Sequence, residues 1–373
     1  MLTFVDPRDV GLNPRSWQTV LELAQKLVDD GDLPALAFQV QQGLKATPVV
    51  ALGHADSDRQ VPLHRSHRFL VASLTKPIVA MAVLQLVERG LLTLNDRVVD
   101  WLPEFSEAAK RNITIRHLLT HTSGLPDMLP NNAQLRQEHA PVAAFVEGTC
   151  HVSLDYVPGR DSRYQSMGYA LLDPIIQRAS GRRCREFLRE NIFQPLGMTQ
   201  TCLGTEPGDD RSDIAHLQVP PEQLGGGAWN WNSEYWHQLG APWGGLISTV
   251  EDLSLFCACI NTDGSSPQGK VFSPATVRMA TENRLYDYPA ILPETRDSRG
   301  WGCGWRLNWL DHRSCFSDLL PASVVGHWGA TGTLFWIDQV QQTAAVLLTT
   351  QPIERNASPL TRLSNAIVAA FLT

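Results

Sequence analysis

Lysine is scarce in this chain of 373 residues. Of its 31 basic residues only five are lysines, at positions 26, 45, 76, 110 and 270. The sequence has no basic run and carries a formal net charge of −7, which argues against nucleic acid or an anionic membrane as a principal partner. Any role that needs a titratable amine must therefore fall to one of these five side chains.

Long apolar runs and a signal peptide are also missing. No stretch of about 18 uninterrupted apolar residues occurs, so we expect no membrane span. The first 17 residues have no basic region followed by an apolar one, which predicts a cytoplasmic protein, although a chain whose leader had been removed would read the same.

Several motifs of known chemistry are absent. The cysteines are scattered, and Cys257 and Cys259 lack the C-x-x-C spacing of zinc ribbons, so we expect reduced thiols, no metal and no cofactor. Neither a G-x-S-x-G nor a P-loop occurs, which argues against an α/β-hydrolase and a nucleotide-binding enzyme. His117 and His121 lie four apart without an H-E-x-x-H frame, which favours structural histidines at a helix end.

Apolar periodicity predicts helices at both ends of the chain and a mainly helical middle. Helices are expected over residues 15–30, 75–90, 114–125, 140–149, 168–181, 184–197, 249–264 and 359–372, whereas 220–246 is interpreted as an aromatic-rich loop. Strand patterns cluster near the two ends, in an early hairpin over 35–43 and 47–55 and in late strands over 301–310, 323–331, 332–340 and 343–351.

This distribution predicts an α+β fold. One antiparallel sheet built from both chain ends and flanked by helices accounts for the two groups of strands. We expect a sheet lobe from residues 1–70 and 240–373, an inserted helical lobe from 71–239, and an active site in the cleft between them.

The segment Ser73-Leu74-Thr75-Lys76 is an S-x-x-K arrangement at the start of an apolar helix. Residues three apart on a helix share a face, so the amine of Lys76 comes within reach of the hydroxyl of Ser73. Serine is a weak nucleophile that needs a base, and lysine can serve once burial or a neighbouring cation lowers its pKa from about 10.4. The spacing alone favours an N-cap serine followed by a lysine whose charged end reaches solvent.

Two further segments supply complementary groups. Tyr164, in Tyr164-Gln165-Ser166, could act as a base or proton relay beside a lysine ammonium. In His327-Trp328-Gly329, the small glycine would let a substrate approach the strand closely, and the next amide, of Ala330, could point at an oxyanion.

The order S-L-T-K, Y-Q-S and H-W-G resembles the serine β-lactamase and penicillin-binding-protein superfamily. Its intervals are similar to those of class C β-lactamases and family VIII esterases, and tracts such as IRHLLTHTSGLP, PLGM and APWGGLISTVEDLSLF are typical of the same family. The similarity spans roughly residues 33–348. It implies a β-lactamase/D,D-peptidase-like fold and a small-molecule ester, amide or β-lactam as substrate.

The resemblance also implies roles for the matching residues. Ser73 would be the acylated nucleophile, Lys76 its base or proton partner, and Tyr164 the group that activates water or protonates the leaving group. The N–H groups of Ser73 and Ala330 would form the oxyanion hole. Ser166, His327, Trp328 and Gly329 would contact the substrate. Which of Lys76 and Tyr164 takes the proton stays open.

Two positions depart from the β-lactamase pattern. Ser166 stands where those enzymes keep asparagine, and H-W-G stands where they have K-T-G. The loss of a permanent cation weakens recognition of the carboxylate that penicillins, cephalosporins and D-Ala-D-Ala peptides carry. We therefore expect a carboxylesterase acting on small, uncharged esters. A penicillin-binding D,D-peptidase or β-lactamase, and a non-catalytic binding protein on the same fold, are the alternatives.

Tryptophans crowd two regions of the sequence. Four lie in the predicted loop and five among the late strands: Trp229, Trp231, Trp236 and Trp243, then Trp301, Trp305, Trp309, Trp328 and Trp336. They fit either an aromatic cleft wall for an apolar acyl or alcohol group or a core between sheet and helices. Trp328, inside the H-W-G motif, is the one that we expect in the wall.

Overall fold

The computed structural model describes residues 2–58, 60–219, 229–312, 315–353 and 358–372. Its strands are β1 (Thr3–Phe4), β2 (Ala35–Gln42), β3 (Lys45–Ala46), β4 (Val50–Gly53), β5 (Phe69–Leu70), β6 (Cys202–Leu203), β7 (Leu246–Ser248), β8 (Ser265–Ser266), β9 (Gly269–Lys270), β10 (Arg306–Leu307), β11 (Val325–Gly329), β12 (Thr333–Asp338) and β13 (Thr343–Thr349).

Eight of these strands form one sheet in the order β1-β3-β2-β13-β12-β11-β10, with β4 also paired to β2. The two ends of the chain meet where β2 runs antiparallel to β13, with Leu36 opposite Thr349 and Gln42 opposite Thr343. A sheet built from both ends was predicted, and it is confirmed. The sheet is mixed rather than purely antiparallel, because the short β1 pairs parallel with β3.

Helices cover the sheet and fill the middle of the chain. They are α1 (Pro14–Asp29), α2 (Thr75–Glu88), α3 (Val98–Trp101), α4 (Ile115–Leu119), α5 (Asn132–Gln137), α6 (Val142–His151), α7 (Met167–Ser180), α8 (Cys184–Leu188), α9 (Gln194–Leu196), α10 (Glu234–Leu239), α11 (Val250–Asn261), α12 (Pro274–Thr281), α13 (Pro293–Ser298) and α14 (Ser358–Ala370). None of the helices in the described ranges is both long and apolar enough to cross a lipid bilayer. The lobe boundaries near residues 70 and 240 stay a prediction.

Both faces of the sheet are buried. Along β2, Leu36 and Phe38 belong to a core shared with α1 and α14, whereas Ala35 and Ala37 belong to the larger core around α2. Successive side chains of a strand point to opposite faces, so this alternation places one apolar layer on each side of the sheet. Twelve consecutive residues of α2, 75–86, are buried, and the start of this helix is therefore held rigidly.

Three predicted elements were wrong in part. Helix over 114–125 is limited to α4, since His121 takes a left-handed backbone with φ +57°. Strand over 301–310 is limited to the two residues of β10. The predicted loop over 220–246 contains α10, which begins where the hydroxyl of Ser233 accepts from the N–H of Trp236 and ends at Gly240 with φ +60°. Residues 220–228 of that loop lie outside the described residues.

Candidate active site

Ser73 lies in a 3₁₀ turn, Ala72–Leu74, that leads directly into α2. Ala72 has a φ of +48°, a conformation that a non-glycine residue adopts at an energetic cost. The hydroxyl of Thr75 donates to the carbonyl of Ala72 at 2.6 Å and accepts from the N–H of Leu246 in β7 at 3.0 Å. These contacts tie the turn to a neighbouring strand, so the half-buried hydroxyl of Ser73 is presented in a fixed position.

Lys76 lies one turn further along, with its Nζ 3.1 Å from the Oγ of Ser73. The same Nζ donates to the backbone carbonyl of Trp243 at 2.6 Å and lies 4.7 Å from the centre of the Tyr164 ring. Burial lowers the pKa of Lys76 to about 7, against an opposing effect of the Asp127 carboxylate. The amine is therefore substantially neutral near pH 7, and its lone pair can accept a proton from the serine.

Tyr164 approaches the nucleophile from the other side. Its hydroxyl donates to the Oγ of Ser73 at 2.5 Å, and its ring lies against His121 and Trp301 with centroid separations of 5.1 and 6.0 Å. Burial raises the pKa of Tyr164, and the charge of Asp127 acts in the same direction. The phenol is therefore protonated in the free protein, so Tyr164 can donate a proton and the neutral amine of Lys76 can accept one.

The end of β11, the turn that follows it and the first residue of β12 are held against the turn that carries Ser73. The hydroxyl of Thr331 donates to the carbonyl of Leu70 at 2.7 Å, and that of Thr333 donates to the carbonyl of Val71 at 2.8 Å. A Cβ on Gly329 would lie 2.4 Å from the carbonyl oxygen of Val71, so this close approach requires glycine. These contacts place Ala330 in the same cleft as Ser73, as the predicted oxyanion hole needs.

His327 is buried beneath the cleft rather than exposed in it. Its Nδ1 lies 2.7 Å from the carbonyl oxygen of Trp328, and because a carbonyl can only accept, Nδ1 carries the proton. Burial lowers the pKa of His327 far below its usual range, and the charge of Lys76 adds to this effect. The imidazole is therefore neutral and does not replace the missing cation.

A cleft of about 490 Å³ opens above the nucleophile. Of the predicted site residues, those that line it are Ser73, Tyr164, Ser166, Trp328 and Ala330; Lys76, His327 and Gly329 lie directly behind the lining. The four tryptophans of the predicted loop also line the cleft, whereas Trp301, Trp305 and Trp336 are buried away from it. The aromatic wall thus comes mainly from the region around α10.

Some lining residues escaped the sequence prediction. Asp127, Asn132 and Arg136 reach the cleft from α5 and the loop before it. This six-residue helix has no apolar periodicity long enough to predict it. Within the described part of the chain, no group of three or more histidine, cysteine, aspartate or glutamate side chains is arranged to hold a metal.

The two histidines of the predicted structural pair have separate contacts. The Nδ1 of His117 accepts from the N–H of Thr114 at 3.1 Å and so caps its own helix. His121 lies beyond the helix, where its Nδ1 accepts from the N–H of Gln165 at 3.1 Å. Burial lowers the pKa of His121 far below its usual range. Since its ring packs on Tyr164, His121 helps to fix the position of that tyrosine.

Known proteins share this architecture. The chain is 28% identical over 351 residues to Esterase EstB of Burkholderia gladioli, with 86% of each protein covered. It is 30% identical over 281 residues to Penicillin-binding protein 4 of Amycolatopsis lactamdurans, covering 72% of this chain and 67% of that protein. The solved structure of EstCE1, described as a hydrolase with promiscuous acyltransferase activity, superposes with a TM-score of 0.76 at 18% identity, over 94% of this chain and 98% of that one.

The match extends through almost the whole sequence. The family model described as Beta-lactamase matches residues 20–368, which include the serine, lysine and tyrosine of the site and the late strand. The predicted β-lactamase-like fold is thereby confirmed. The chain belongs to the Beta-lactamase family and is a serine hydrolase of that superfamily.

Proposed function

We propose that this protein is a carboxylesterase that cleaves small esters through an acyl-enzyme on Ser73. The observation that carries the proposal is the hydrogen-bonded set of Ser73, Lys76 and Tyr164 beside a late strand that presents Trp328 and a neutral His327. The set provides a nucleophile, a base and an acid, while the strand provides no cation for a carboxylate.

Acylation follows from the positions of these three groups. The Oγ of Ser73 attacks the ester carbonyl carbon while its proton passes to the neutral amine of Lys76. The carbonyl oxygen becomes an oxyanion, which the N–H groups of Ser73 and Ala330 would stabilise. As the bond to the alcohol oxygen breaks, Tyr164 gives that oxygen its proton and becomes a phenolate, while Lys76 keeps the proton that it took from the serine.

Deacylation repeats the sequence with water in place of the serine. The phenolate of Tyr164 removes a proton from the water, whose oxygen attacks the acyl carbon, and the Oγ of Ser73 leaves and takes a proton from Lys76. One water is consumed, and one alcohol and one carboxylic acid are released. Each proton moves between groups that already lie within 2.5 to 3.1 Å of the serine oxygen.

The similarity to Esterase EstB over most of both chains supports an esterase. The similarity to a penicillin-binding protein supports the alternative, a D,D-peptidase or β-lactamase. The peptides and β-lactams on which such enzymes act carry a carboxylate. A non-catalytic binding protein is the alternative of a different class. The intact catalytic set argues against it, because binding alone does not need a lysine whose pKa is lowered beside a serine.

One experiment separates the three functions. Wild-type protein and Ser73→Ala are incubated with p-nitrophenyl butyrate, nitrocefin and a D-Ala-D-Ala peptide, and the intact mass of each mixture is measured. Ser298→Ala, on an exposed serine outside the cleft, is the control. We expect ester turnover and a butyryl adduct that Ser73→Ala abolishes and Ser298→Ala leaves unchanged. Faster turnover of nitrocefin or of the peptide overturns the esterase proposal, and absence of both turnover and adduct supports the binding protein.

A further inference from the structure

Arg136, on α5, is a charged residue in the wall of the cleft that the catalytic set does not use. Its side chain is only 8% exposed, and the carbon of its guanidinium lies 4.8 Å from the ring centre of Trp229 and 4.5 Å from that of Trp236. Both indoles line the same cleft as Ser73. The guanidinium is thus held against two aromatic rings in a fixed place near the nucleophile.

The hydrogen-bonding capacity of Arg136 is largely unused. Its Nη2 lies 3.7 Å from the thioether sulfur of Met128, a weak acceptor, and its buried Nε has no hydrogen-bond partner. Among the residues that the structure describes, no carboxylate forms an ion pair with it. A buried cation without a carboxylate partner is costly, and cation–π contacts with indoles offset part of that cost.

The side chain nevertheless remains charged. Burial lowers the pKa of Arg136 to about 10, with Tyr235 and Asp127 opposing the effect, so the guanidinium is protonated near pH 7. Asp127 is the other charged residue described in the cleft lining, and its side chain is exposed to solvent. Water screens an exposed charge more strongly than a buried one, so the charge of Asp127 is screened more than that of Arg136.

We propose that Arg136 binds a carboxylate carried by the substrate. The inference rests on the proposed function in that the ligand is taken to be an ester with a free carboxylate. A guanidinium offers paired N–H donors that match the two oxygens of a carboxylate, and the flanking indoles fit an apolar spacer between that group and the ester. The late strand offers no cation to a substrate carboxylate, and for this reason we expected an uncharged ester. Arg136 supplies such a cation from α5, in another wall of the cleft.

Matched ester pairs test the proposal. On the acyl side, mono-p-nitrophenyl glutarate is compared with p-nitrophenyl butyrate; on the alcohol side, 4-acetoxybenzoate is compared with phenyl acetate. The ratio of kcat/KM for the anionic and neutral members is measured in wild type, Arg136→Met and Arg136→Lys. Arg89→Met, on an exposed arginine that stacks on Phe187 outside the cleft, controls for the change in net charge.

We expect the wild type to prefer the anionic member of one pair. Loss of a charge-assisted hydrogen bond should lower the ratio of kcat/KM for the anionic ester over the neutral one about tenfold or more in Arg136→Met. Arg136→Lys should retain part of the wild-type preference, and Arg89→Met should retain all of it. Arg136→Lys replaces the paired N–H donors by a single ammonium, so the smaller drop that it should cause tests the proposal even if Arg136→Met does not fold. A ratio that is unchanged in Arg136→Met, or in Arg136→Lys if Arg136→Met does not fold, overturns the proposal.

Binding distinguishes this inference from the proposed esterase activity. Calorimetry on Ser73→Ala should show mono-p-nitrophenyl glutarate or 4-acetoxybenzoate binding more tightly than its neutral partner, and the added substitution Arg136→Met should remove the difference. Such binding without ester turnover in the wild type overturns the esterase but retains the carboxylate site. Ester turnover without any preference for the anionic member of a pair retains the esterase but overturns the carboxylate site. Nitrocefin turnover that exceeds ester turnover and falls in Arg136→Met assigns the carboxylate to a β-lactam.

Discussion

The hydroxyl of Tyr164 donates a 2.5 Å hydrogen bond to the Oγ of Ser73, although 91 residues separate them in the chain. In the proposed mechanism, this contact makes the tyrosine the acid that protonates the departing alcohol. In Tyr164→Phe the ring keeps its packing on His121 and Trp301, but the proton donor is lost. We expect kcat/KM for p-nitrophenyl butyrate to fall by about 10²- to 10⁴-fold with little change in melting temperature.

Tyr286→Phe is the matched control, since this tyrosine is 57% exposed and lies outside the cleft. Its ester turnover should equal that of the wild type. A Tyr164→Phe variant that retains full activity would show that another group protonates the alcohol.

Lys76 should set the acidic limb of the pH profile. Burial lowers its pKa to about 7, and the amine acts as a base only when neutral. Ester kcat/KM should therefore rise with pH through about 7 and level off above it. The profile is measured from about pH 5 to about pH 9, and Lys76→Arg, which stays protonated, should be inactive throughout. An activity that is constant across this range contradicts Lys76 as the base.

The same lowered pKa predicts a stability effect. Between the folded pKa of about 7 and the unfolded value of about 10.4, the unfolded chain binds the extra proton, so this lysine makes stability rise with pH. Lys76→Met removes that contribution. The free energy of unfolding of Lys76→Met minus that of the wild type should therefore be largest at pH 7 and below. Above pH 7 this difference should decline by up to about 1.4 kcal/mol per pH unit.

Denaturant unfolding at several pH values measures this difference. Lys45→Met, on an exposed lysine, is the control and should show no such decline. A difference between Lys76→Met and wild type that does not vary with pH would mean that Lys76 titrates alike in the folded and unfolded chains.

Local patterns predicted much of the fold and the centre of the site. The S-x-x-K spacing gave the contact of Ser73 with Lys76 because a single helical turn joins them. The sheet shared by both ends followed from where strand patterns occur. Tyr164 and the late strand were placed by resemblance to a family, since no local pattern links residues that far apart in the chain.

Other features depend on tertiary contacts that sequence patterns do not encode. The carbonyl of Trp243 binds Lys76 through a backbone atom, which any residue there could supply. His327 was expected to contact substrate, yet the strand register places it beneath the cleft. Arg136 lies on a helix of only six residues, and its part in the cleft depends on indoles about 100 residues away in the chain.

Trp328 should limit the size of the acyl group. It lines the cleft and stacks near Tyr164 with ring centroids 6.4 Å apart, so Trp328→Ala enlarges the space beside the nucleophile. Each added methylene that finds an apolar site contributes about 1 kcal/mol. We expect the ratio of kcat/KM for p-nitrophenyl octanoate over p-nitrophenyl acetate to rise about tenfold or more.

Trp101→Ala, on a half-buried tryptophan outside the cleft, is the control and should leave the ratio unchanged. If Trp328→Ala folds and keeps the wild-type preference for chain length, Trp328 does not line the part of the cleft that receives the acyl group.

Gly329→Ala should damage the site through the backbone. The new Cβ would lie 2.3 Å from the Oγ1 of Thr333 and 2.4 Å from the carbonyl oxygen of Val71, so β11 must move away from the nucleophile turn. We expect the free energy of unfolding to fall by about 1–3 kcal/mol. We also expect kcat to fall in the protein that remains folded, because Ala330 moves with the strand.

Gly244→Ala is the comparison, since its Cβ would meet Ala72 at an ordinary 3.7 Å. Its stability should stay close to that of the wild type. Equal stability losses in the two variants would show that the close approach of Gly329 to Val71 is not what holds the strand against the catalytic turn.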